Sequence, residues 1–341
     1  MPRTTHKPKP LLPSCPRCGS KRTTKKGKRK TRHEERQRYG CNACRHIFIN
    51  QITKHSRYPV KLILEGITFY NRGYSARQTQ RYLKRRFAIT VPEKTLRFWY
   101  TAHRPLCTYA QLRDEIKRQY TPAELTPQYH LEHRQVYCYQ IHTGKLDVLL
   151  STPTHRPYHP LKTYLAAVAS DAFPHALFTE THGDRSSNYP ALLTARVTRK
   201  ANNATKLAAL ALQIAPSNIK RHETIQRFML VNDSATIAVE VPIYLTTDDF
   251  AVFRAHGFTF PFGEHPITGH IDFLQLRAGF LHILDYKPAA RKEKHVVTQL
   301  TIYALALSRR TGLPVKAFKC AWFDEKDYFE FFPLPSVYPR T

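Results

Sequence analysis

Three apolar runs in the last third of the chain have the length and spacing of consecutive β-strands. They cover residues 235–245, 267–274 and 280–287, and each contains an acidic residue among its apolar positions. Runs of this kind, joined by a short turn such as that at 277–279, predict strands of a buried sheet. A helix is predicted after them, over about residues 294–310. The pattern therefore favours an α/β core at this end of the chain.

Apolar residues between positions 60 and 100 recur at helical spacing instead. The first helix is predicted over residues 60–70 and ends at the turn that contains Gly73. A second begins at Ser75, whose side chain forms a capping box with Gln78, and a third restarts with Pro92 in its first turn. Three short helices in this order are typical of a helix-turn-helix. A three-helix module without a nucleic-acid role is the alternative.

The last of these helices is the candidate for the major groove of DNA, because Leu96 and Trp99 would pack inward and leave the basic positions outside. The cations that we expect to contact DNA are Lys94, Arg97, Arg77 and Arg81.

Residues 106–215 carry fewer signals. Residues 136–141 and 145–150 predict a β-hairpin, and residues 161–169 and 204–215 predict helices. A further helix is predicted over residues 218–231. No motif assigns this intermediate region a specific role, and packing or clamping of DNA is all that we expect of it.

The charge is concentrated at one end of the chain. The formal net charge is +29, and residues 1–110 hold 27 Lys and Arg against four acidic residues. Such a polycation is expected of a protein that binds a phosphate backbone, with a membrane surface or a solvated face as the alternatives. No apolar run approaches a membrane span, and the first residues lack the apolar core of a secretory signal. We therefore expect no membrane partner and a cytoplasmic, nucleoid-associated protein.

Four of the seven cysteines have the spacing of a metal site. Cys15 and Cys18 form one C-x2-C pair, and Cys41 and Cys44 form a second. Two such pairs predict a tetrahedral structural zinc site. Gly19 and Gly40, beside the pairs, would supply the backbone freedom that tight knuckles need. The other three cysteines, Cys107, Cys138 and Cys320, are expected in the core.

The first third resembles the zinc ribbon and helix-turn-helix at the start of many insertion-sequence transposases. The resemblance covers roughly residues 12–105 and is carried by Cys15-Pro-Arg-Cys-Gly19, Tyr39-Gly-Cys-Asn-Ala-Cys44, Gly73-Tyr-Ser75 and Trp99. It implies binding to double-stranded DNA and supplies no catalytic domain.

The acidic residues of the predicted strands suggest a second metal site. Asp272 and Asp285 are 13 residues apart, as expected of facing positions on antiparallel strands joined by a short turn. Alternation along a strand places Lys287 on the same face as Asp285. Converging carboxylates suit Mg²⁺ or Mn²⁺, with the lysine beside the attacking water. The tripeptide D/E-x-K also occurs at Glu115 and Asp324, so only its setting distinguishes this copy.

The ordered motifs Glu240-Val-Pro242, Gly269-His-Ile-Asp272, Asp285-Tyr-Lys287 and Gln299-Leu-Thr-Ile-Tyr303 closely resemble the RecB-like branch of the PD-(D/E)XK nuclease superfamily. The resemblance covers about residues 216–335 and implies metal-dependent phosphodiester hydrolysis. It implies that Asp272, Asp285 and the Tyr286 carbonyl bind the metal. It also implies that Lys287 orients or activates water and stabilises charge, and that Gln299 and Tyr303 support the site or contact DNA. Glu240 matches the pattern, and His222, or else Glu223, is the candidate for an upstream ligand. The additional cysteines that bind an iron–sulfur cluster in some relatives are absent.

These patterns together predict a multidomain α+β protein: a zinc ribbon with a basic arm at 1–56, a helix-turn-helix at 57–105, an intermediate region at 106–215 and an α/β nuclease core at 216–341. The expected function is a metal-dependent deoxyribonuclease linked to a mobile element or DNA processing. A transposase with an RNase H-like acidic triad and a non-catalytic DNA-binding regulator are the alternatives. DNA is the expected partner, and a homodimer or a helicase-like protein is left open.

Overall fold

The computed structural model describes residues 12–30, 35–49, 58–179, 183–215 and 220–338. The chain divides into two compact units, Met1–Leu64 and Glu65–Thr341. The basic N-terminal arm over residues 1–11 and the predicted helix start at residue 218 lie outside the described residues.

The first unit is built on a small antiparallel sheet of three strands. They are β1 (Thr23–Lys30), β2 (Glu35–Cys41) and β3 (Ile47–Ile49), with β2 in the centre. Phe48 is buried together with Cys15 and Cys41, so the cysteine pairs are part of the small core of this unit. A sheet this small buries few apolar side chains, which is why such units commonly depend on a metal ion for stability.

Three helices follow at the predicted positions, α1 (Val60–Asn71), α2 (Ala76–Phe87) and α3 (Glu93–His103). The capping box of Ser75 and Gln78 is present. Pro92 is the N-cap residue of α3, one position before the first turn in which it was predicted. Gly66 lies so close to Leu83 and Trp99 that an added Cβ would be 3.2 Å from the Leu83 side chain, so glycine allows α1, α2 and α3 to approach.

The rest of the second unit is organised around one nine-stranded mixed sheet. The order is β4-β5-β8-β9-β10-β11-β12-β7, and β6 pairs with β9 off this path. Its strands are β4 (Gln128–His133), β5 (Gln135–Ile141), β6 (Asp184–Arg185), β7 (Thr198–Arg199), β8 (Thr236–Leu245), β9 (Ile267–Arg277), β10 (Phe280–Tyr286), β11 (Phe318–Phe323) and β12 (Tyr328–Phe331).

In the described part of this unit the further helices are α4 (Arg113–Gln119), α5 (Thr143–Ser151), α6 (His159–Ala167), α7 (Asn203–Ala211), α8 (Arg221–Asn232), α9 (Thr247–Ala255) and α10 (Val296–Thr311). Most of α10 is buried, because residues 296–307 are all shielded from solvent against the sheet and its neighbours. No helix among the described residues is both long and apolar enough to cross a membrane.

The predicted hairpin of residues 136–150 is wrong in its second half. Residues 136–141 belong to β5, but its hairpin partner is the preceding strand β4, and residues 143–151 form α5. The ring of His142 caps this helix by accepting the N–H of Lys145. The buried Lys145 ammonium donates to the carbonyls of Leu230 and Asp233. These contacts are distant in sequence, so alternation along the segment could not reveal them.

The strands and helix predicted in the last third are confirmed within a few residues of their bounds. Ala278 and Gly279 both have positive φ and join β9 to β10 in a two-residue turn, the geometry that suits the right-handed twist of a hairpin. Cys107 and Cys320 are buried as predicted, whereas Cys138 is only partly buried.

Candidate active site and cysteine cluster

Strand register aligns three carboxyl groups across the centre of the large sheet. β9 pairs antiparallel with β8 on one side and with β10 on the other. The pairs that flank Glu240 place it opposite Asp272, and continuing the β9–β10 register places Asp272 opposite Asp285. Facing residues of neighbouring strands project from the same face of a sheet. The predicted convergence of the two aspartates therefore holds, and Glu240 joins them.

Glu240 has an unusual backbone conformation within β8. Its φ is 53°, in the left-handed region that residues with a Cβ rarely occupy in a strand. The side chain accepts a 2.7 Å hydrogen bond from Gln226 Nε2 on α8. Burial, together with the charge of Asp272, raises the pKa of Glu240 to about 7. Strained conformations of this kind persist where the surroundings fix them, commonly at functional sites.

His222, in the first turn of α8, completes a group of three metal-ligand types with Glu240 and Asp272. One donor atom of each lies within 4.8 Å of the others. His222 Nε2 is 2.9 Å from Asp272 Oδ2, which also accepts the backbone N–H of Tyr286 at 2.9 Å. Burial lowers the pKa of His222, but the charge of Asp272 outweighs it and raises the pKa to about 9. His222, the candidate for an upstream ligand in the sequence, therefore lies in the site beside Glu240 and Asp272.

Asp285 is almost fully buried and forms an ion pair with Lys287. Lys287 Nζ is 2.8 Å from Asp285 Oδ2, which confirms that alternation places the two on one face. Burial and the charge of Asp272 raise the pKa of Asp285 to about 7. Burial lowers the pKa of Lys287, but Asp285 and Asp272 outweigh it, so the net shift is upward. The ammonium is therefore retained at neutral pH.

Gln299 and Tyr303 lie one turn apart on α10 and approach the site from the helix layer. Gln299 Nε2 donates to Asp285 Oδ1 at 3.3 Å and to the Tyr303 hydroxyl at 2.8 Å. Both side chains are buried. They fix the orientation of Asp285. The ring of Tyr286 packs against that of His222, with centroids 5.8 Å apart and planes at 81°.

This donor set fits a divalent cation. With the three carboxyls ionised and His222 neutral, the charge of Lys287 leaves two net negative charges in a buried site, which a divalent ion would balance. Asp285 Oδ2 is one of the buried atoms in the described part of the chain that receive no well-directed hydrogen bond. Carboxylate oxygens suit Mg²⁺ and Mn²⁺, and an added imidazole favours Mn²⁺.

These groups line one cleft of about 720 Å³. Its walls also include residues that the sequence did not single out: Tyr137, Cys138, Arg185, Ser186, Gln226, Arg227 and His270. Most of them lie outside the four motifs, on β5, on β6 and the residue after it, and on α8, whereas His270 lies within the Gly269-His-Ile-Asp272 motif on β9. Gly269 belongs to the same motif, and its lack of a side chain makes room for Ser186 and Tyr303.

The four cysteines of the first unit form the predicted cluster. Cys15 Sγ is 3.6 Å from Cys44 Sγ, and Cys18 Sγ is 3.6 Å from Cys41 Sγ. One donor atom of each lies within 4.8 Å of the others, the arrangement of a tetrahedral metal site. Hydrogen bonds from the backbone N–H groups of Cys44 and Ala43 help to lower the pKa of Cys41 to about 6, which favours the thiolate that binds metal.

The two cysteine knuckles share one backbone design. In each, the residue four positions after the first cysteine donates its N–H to that cysteine's carbonyl at 2.9 Å and has positive φ. Gly19 has this place in the first knuckle, as predicted, but Arg45 has it in the second. The expected role of Gly40 is wrong, because Gly40 lies within β2 and its φ is not positive.

The four cations predicted to contact DNA are all exposed. Arg77 and Arg81 lie on α2, and Lys94 and Arg97 lie near the start of α3. Arg97 Nη2 is 3.8 Å from Glu93 in an exposed pair of the kind that contributes little stability. Next to Arg97, the ring of Phe98 is 68% exposed. These side chains of α2 and α3 are therefore accessible to a partner.

The remaining acidic motifs have structural surroundings. Asp324 accepts the backbone N–H groups of Lys326, Asp327 and Ala290, so it fixes a turn. Asp233, just before β8, accepts hydrogen bonds from the backbone N–H groups of Ala235 and Thr236 and from the side chain of Gln275.

Comparison with known proteins gives one match. Neither the curated proteins nor the solved structures include one that matches this chain. A family model does match, over a segment that includes His222, Glu240, Asp272, Asp285 and Lys287. Residues 165–329 match the model of the PD-(D/E)XK nuclease superfamily.

Proposed function

We propose that the protein is a DNA-binding, metal-dependent nuclease that hydrolyses phosphodiester bonds. The observation that carries the proposal is the row of Glu240, Asp272 and Asp285, with Lys287 beside it, in one cleft of the matched segment. Members of this superfamily are typically metal-dependent nucleases, and the donor set here suits a divalent ion.

In this proposal His222, Glu240 and Asp272 hold the ion, and the Tyr286 carbonyl and Asp285 are further ligands by resemblance. A bound Mg²⁺ or Mn²⁺ supplies Lewis-acid chemistry, which polarises the phosphate and promotes ionisation of the attacking water. The His222 proton must leave before its nitrogen can bind metal, so metal binding competes with protonation.

The residues around the ion position the phosphate. Because Lys287 keeps its proton, it cannot act as a general base at neutral pH, and its charge instead stabilises the developing charge on the phosphate. Gln299 holds Asp285 in place, and Tyr303 holds Gln299. These two are positioning residues, because their contacts are to the site and not to reacting atoms.

The finer assignment to the RecB-like branch is also a proposal. It is supported by the order of the four motifs, and by the position of His222 beside Asp272. It would place the biological role in DNA processing.

We further propose that the four cysteines bind zinc as a ribbon and that α1–α3 act as a helix-turn-helix that addresses the enzyme to duplex DNA. The exposed cations of α2 and α3 and the charge of the first third support this. The division into four domains, the transposase-type origin, the link to a mobile element and the nucleoid location belong to this proposal. A second copy of the chain or a helicase-like protein would be an additional partner.

The test measures Mn²⁺ binding and DNA cleavage in the same preparations. Unmodified protein should bind Mn²⁺ and cut labelled DNA, whereas Asp272→Asn should lose both, because Asp272 lies between the other two carboxyls. Glu223→Gln is the matched control, since Glu223 lies beside His222 at the rim and pairs with Arg227. Cleavage by Asp272→Asn at the unmodified rate would contradict the proposal.

A further inference from the structure

One wall of the cleft comes from β5, which precedes the matched segment. Tyr137 on this strand lines the cleft together with Arg185, which follows from β6. No motif singled out Tyr137 or Arg185, and neither belongs to the proposed catalytic groups.

The ring of Tyr137 is held in a fixed position. It stacks on His270 with ring centroids 3.5 Å apart and planes 7° apart. Its hydroxyl accepts a 2.6 Å hydrogen bond from Arg185 Nη2. His270 is in turn hydrogen-bonded to His133 at 2.9 Å. The ring is thus fixed from behind and at its tip, although it is only partly buried.

The charge of the cleft changes from floor to rim. The carboxyls of Asp272 and Asp285 lie at the buried floor, whereas Arg185 and Arg227 are exposed at the wall. Arg227 is paired with Glu223 at 2.9 Å. Among the described residues, Arg185 has no carboxylate within ion-pair distance, so its charge is available to a phosphate.

The depth of the cleft requires a substrate to enter it. Its volume of about 720 Å³ is that of a small-molecule pocket. Asp285 at the floor is 1% exposed, so a phosphate must enter the cleft to reach it. In a duplex each base is paired and stacked on its neighbours, whereas a base of an unpaired strand is free to stack on an aromatic side chain of the cleft wall.

We propose that Tyr137 and Arg185 form a binding site for an unpaired DNA strand, in which a base stacks on Tyr137 and an adjacent phosphate pairs with Arg185. This combination of aromatic platform and cation is how proteins bind single strands without sequence preference. The inference deepens the proposed function, since it places the cut strand in the same cleft.

The test measures binding of a short oligothymidylate, too short and unpaired to occupy a helix-turn-helix. The full chain carries Asp285→Asn throughout so that no strand is cut. Tyr137→Leu should weaken binding about 5- to 150-fold, the range for loss of one stacked base. Tyr137→Phe should keep most of the affinity. Tyr129→Leu is the control, because Tyr129 lies on β4 and stacks on Tyr139 instead.

The exposed Arg185 gives a second variant that does not threaten folding. Arg185→Gln should weaken binding and reduce the slope of log affinity against log salt by about 0.7, the value for one single-strand phosphate contact. Affinity for duplex DNA should be unchanged in both variants. Unchanged oligothymidylate affinity in both variants, or equal losses on duplex and single strand, overturns the inference.

Cleavage by the same variants in the unmodified background separates this inference from the proposed function. Cleavage with Mn²⁺ and no dependence on Tyr137 or Arg185 removes the strand site and keeps the nuclease. Binding that depends on Tyr137 without any cleavage by the unmodified protein keeps the strand site and removes the nuclease.

Discussion

Replacing Gly269 by alanine should disturb the site from beneath without changing any charged group. A Cβ at this position would be 2.3 Å from Ser186 Oγ and 2.6 Å from Tyr303 Cε1. Carbon atoms pack best at about 3.5–4.0 Å, so each neighbour would have to move by about 1 Å. Both neighbours are buried, and Tyr303 is tied through Gln299 to Asp285.

The expected cost follows from this crowding. Overpacking of a buried site costs about 1–3 kcal/mol, and two close contacts place Gly269→Ala in the upper half of that range. For a unit of this size the melting temperature should fall by roughly 2–4 °C for each kcal/mol. A shift of about 1 Å in positioned groups can also cost roughly 100-fold in rate. Cleavage should therefore fall more than stability alone explains.

Intrinsic fluorescence measures the unfolding of the second unit, because both tryptophans, Trp99 and Trp322, belong to that unit. Gly263→Ala is the control, since its Cβ would meet nothing closer than 3.4 Å. Adding Ser186→Ala to Gly269→Ala should restore part of the stability, because it removes the closest atom. Equal stability and activity of Gly269→Ala and Gly263→Ala would contradict the predicted overpacking at Gly269.

Three further outcomes are expected. Burial and Asp272 raise the pKa of Glu240 from 4.5 to about 7, so the stability from its proton is complete below pH 4.5 and is lost as the pH rises through 7. In urea unfolding without metal, the free energy of unfolding of Glu240→Gln should rise relative to that of the unmodified protein between pH 4.5 and 7. A difference that does not change with pH would contradict the raised pKa of Glu240. Elemental analysis should find one zinc per chain, which is lost in Cys41→Ser and retained in Cys107→Ser. Zinc in both variants, or in neither variant, would exclude the cysteine site. Arg97→Ala should weaken duplex binding and reduce its salt slope by about 1, whereas Lys117→Ala on α4 should not, and identical slopes would remove α3 from the DNA contact.

Local patterns were sufficient for much of the fold. The capping box at Ser75 and the strands around Asp272 and Asp285 depend on residues near each other in sequence, so period and turn chemistry predicted them. The pairing of Asp285 with Lys287 follows from alternation along one strand. The cysteine cluster follows from spacing for the same reason.

Contacts that join distant segments were beyond such patterns. Residues 143–151 form a helix because Lys145 meets the end of α8, more than 80 residues away. Tyr137 and Arg185 reach the cleft only because β5 and β6 join the same sheet as β9. His222 is placed beside Asp272 by the docking of α8 against β8, which no local spacing encodes.

The most direct test of whether this cleft is the active site is single-turnover cleavage of labelled DNA with Mn²⁺ by two lysine variants. Lys287→Met keeps the length of the side chain and removes the charge beside Asp285, while Lys326→Met makes the same change in the other Asp-x-Lys tripeptide, at the turn fixed by Asp324. Lys287→Met should lose cleavage and retain duplex binding, whereas Lys326→Met should cut like the unmodified protein. Equal cleavage by the two variants would contradict the assignment of this cleft as the active site.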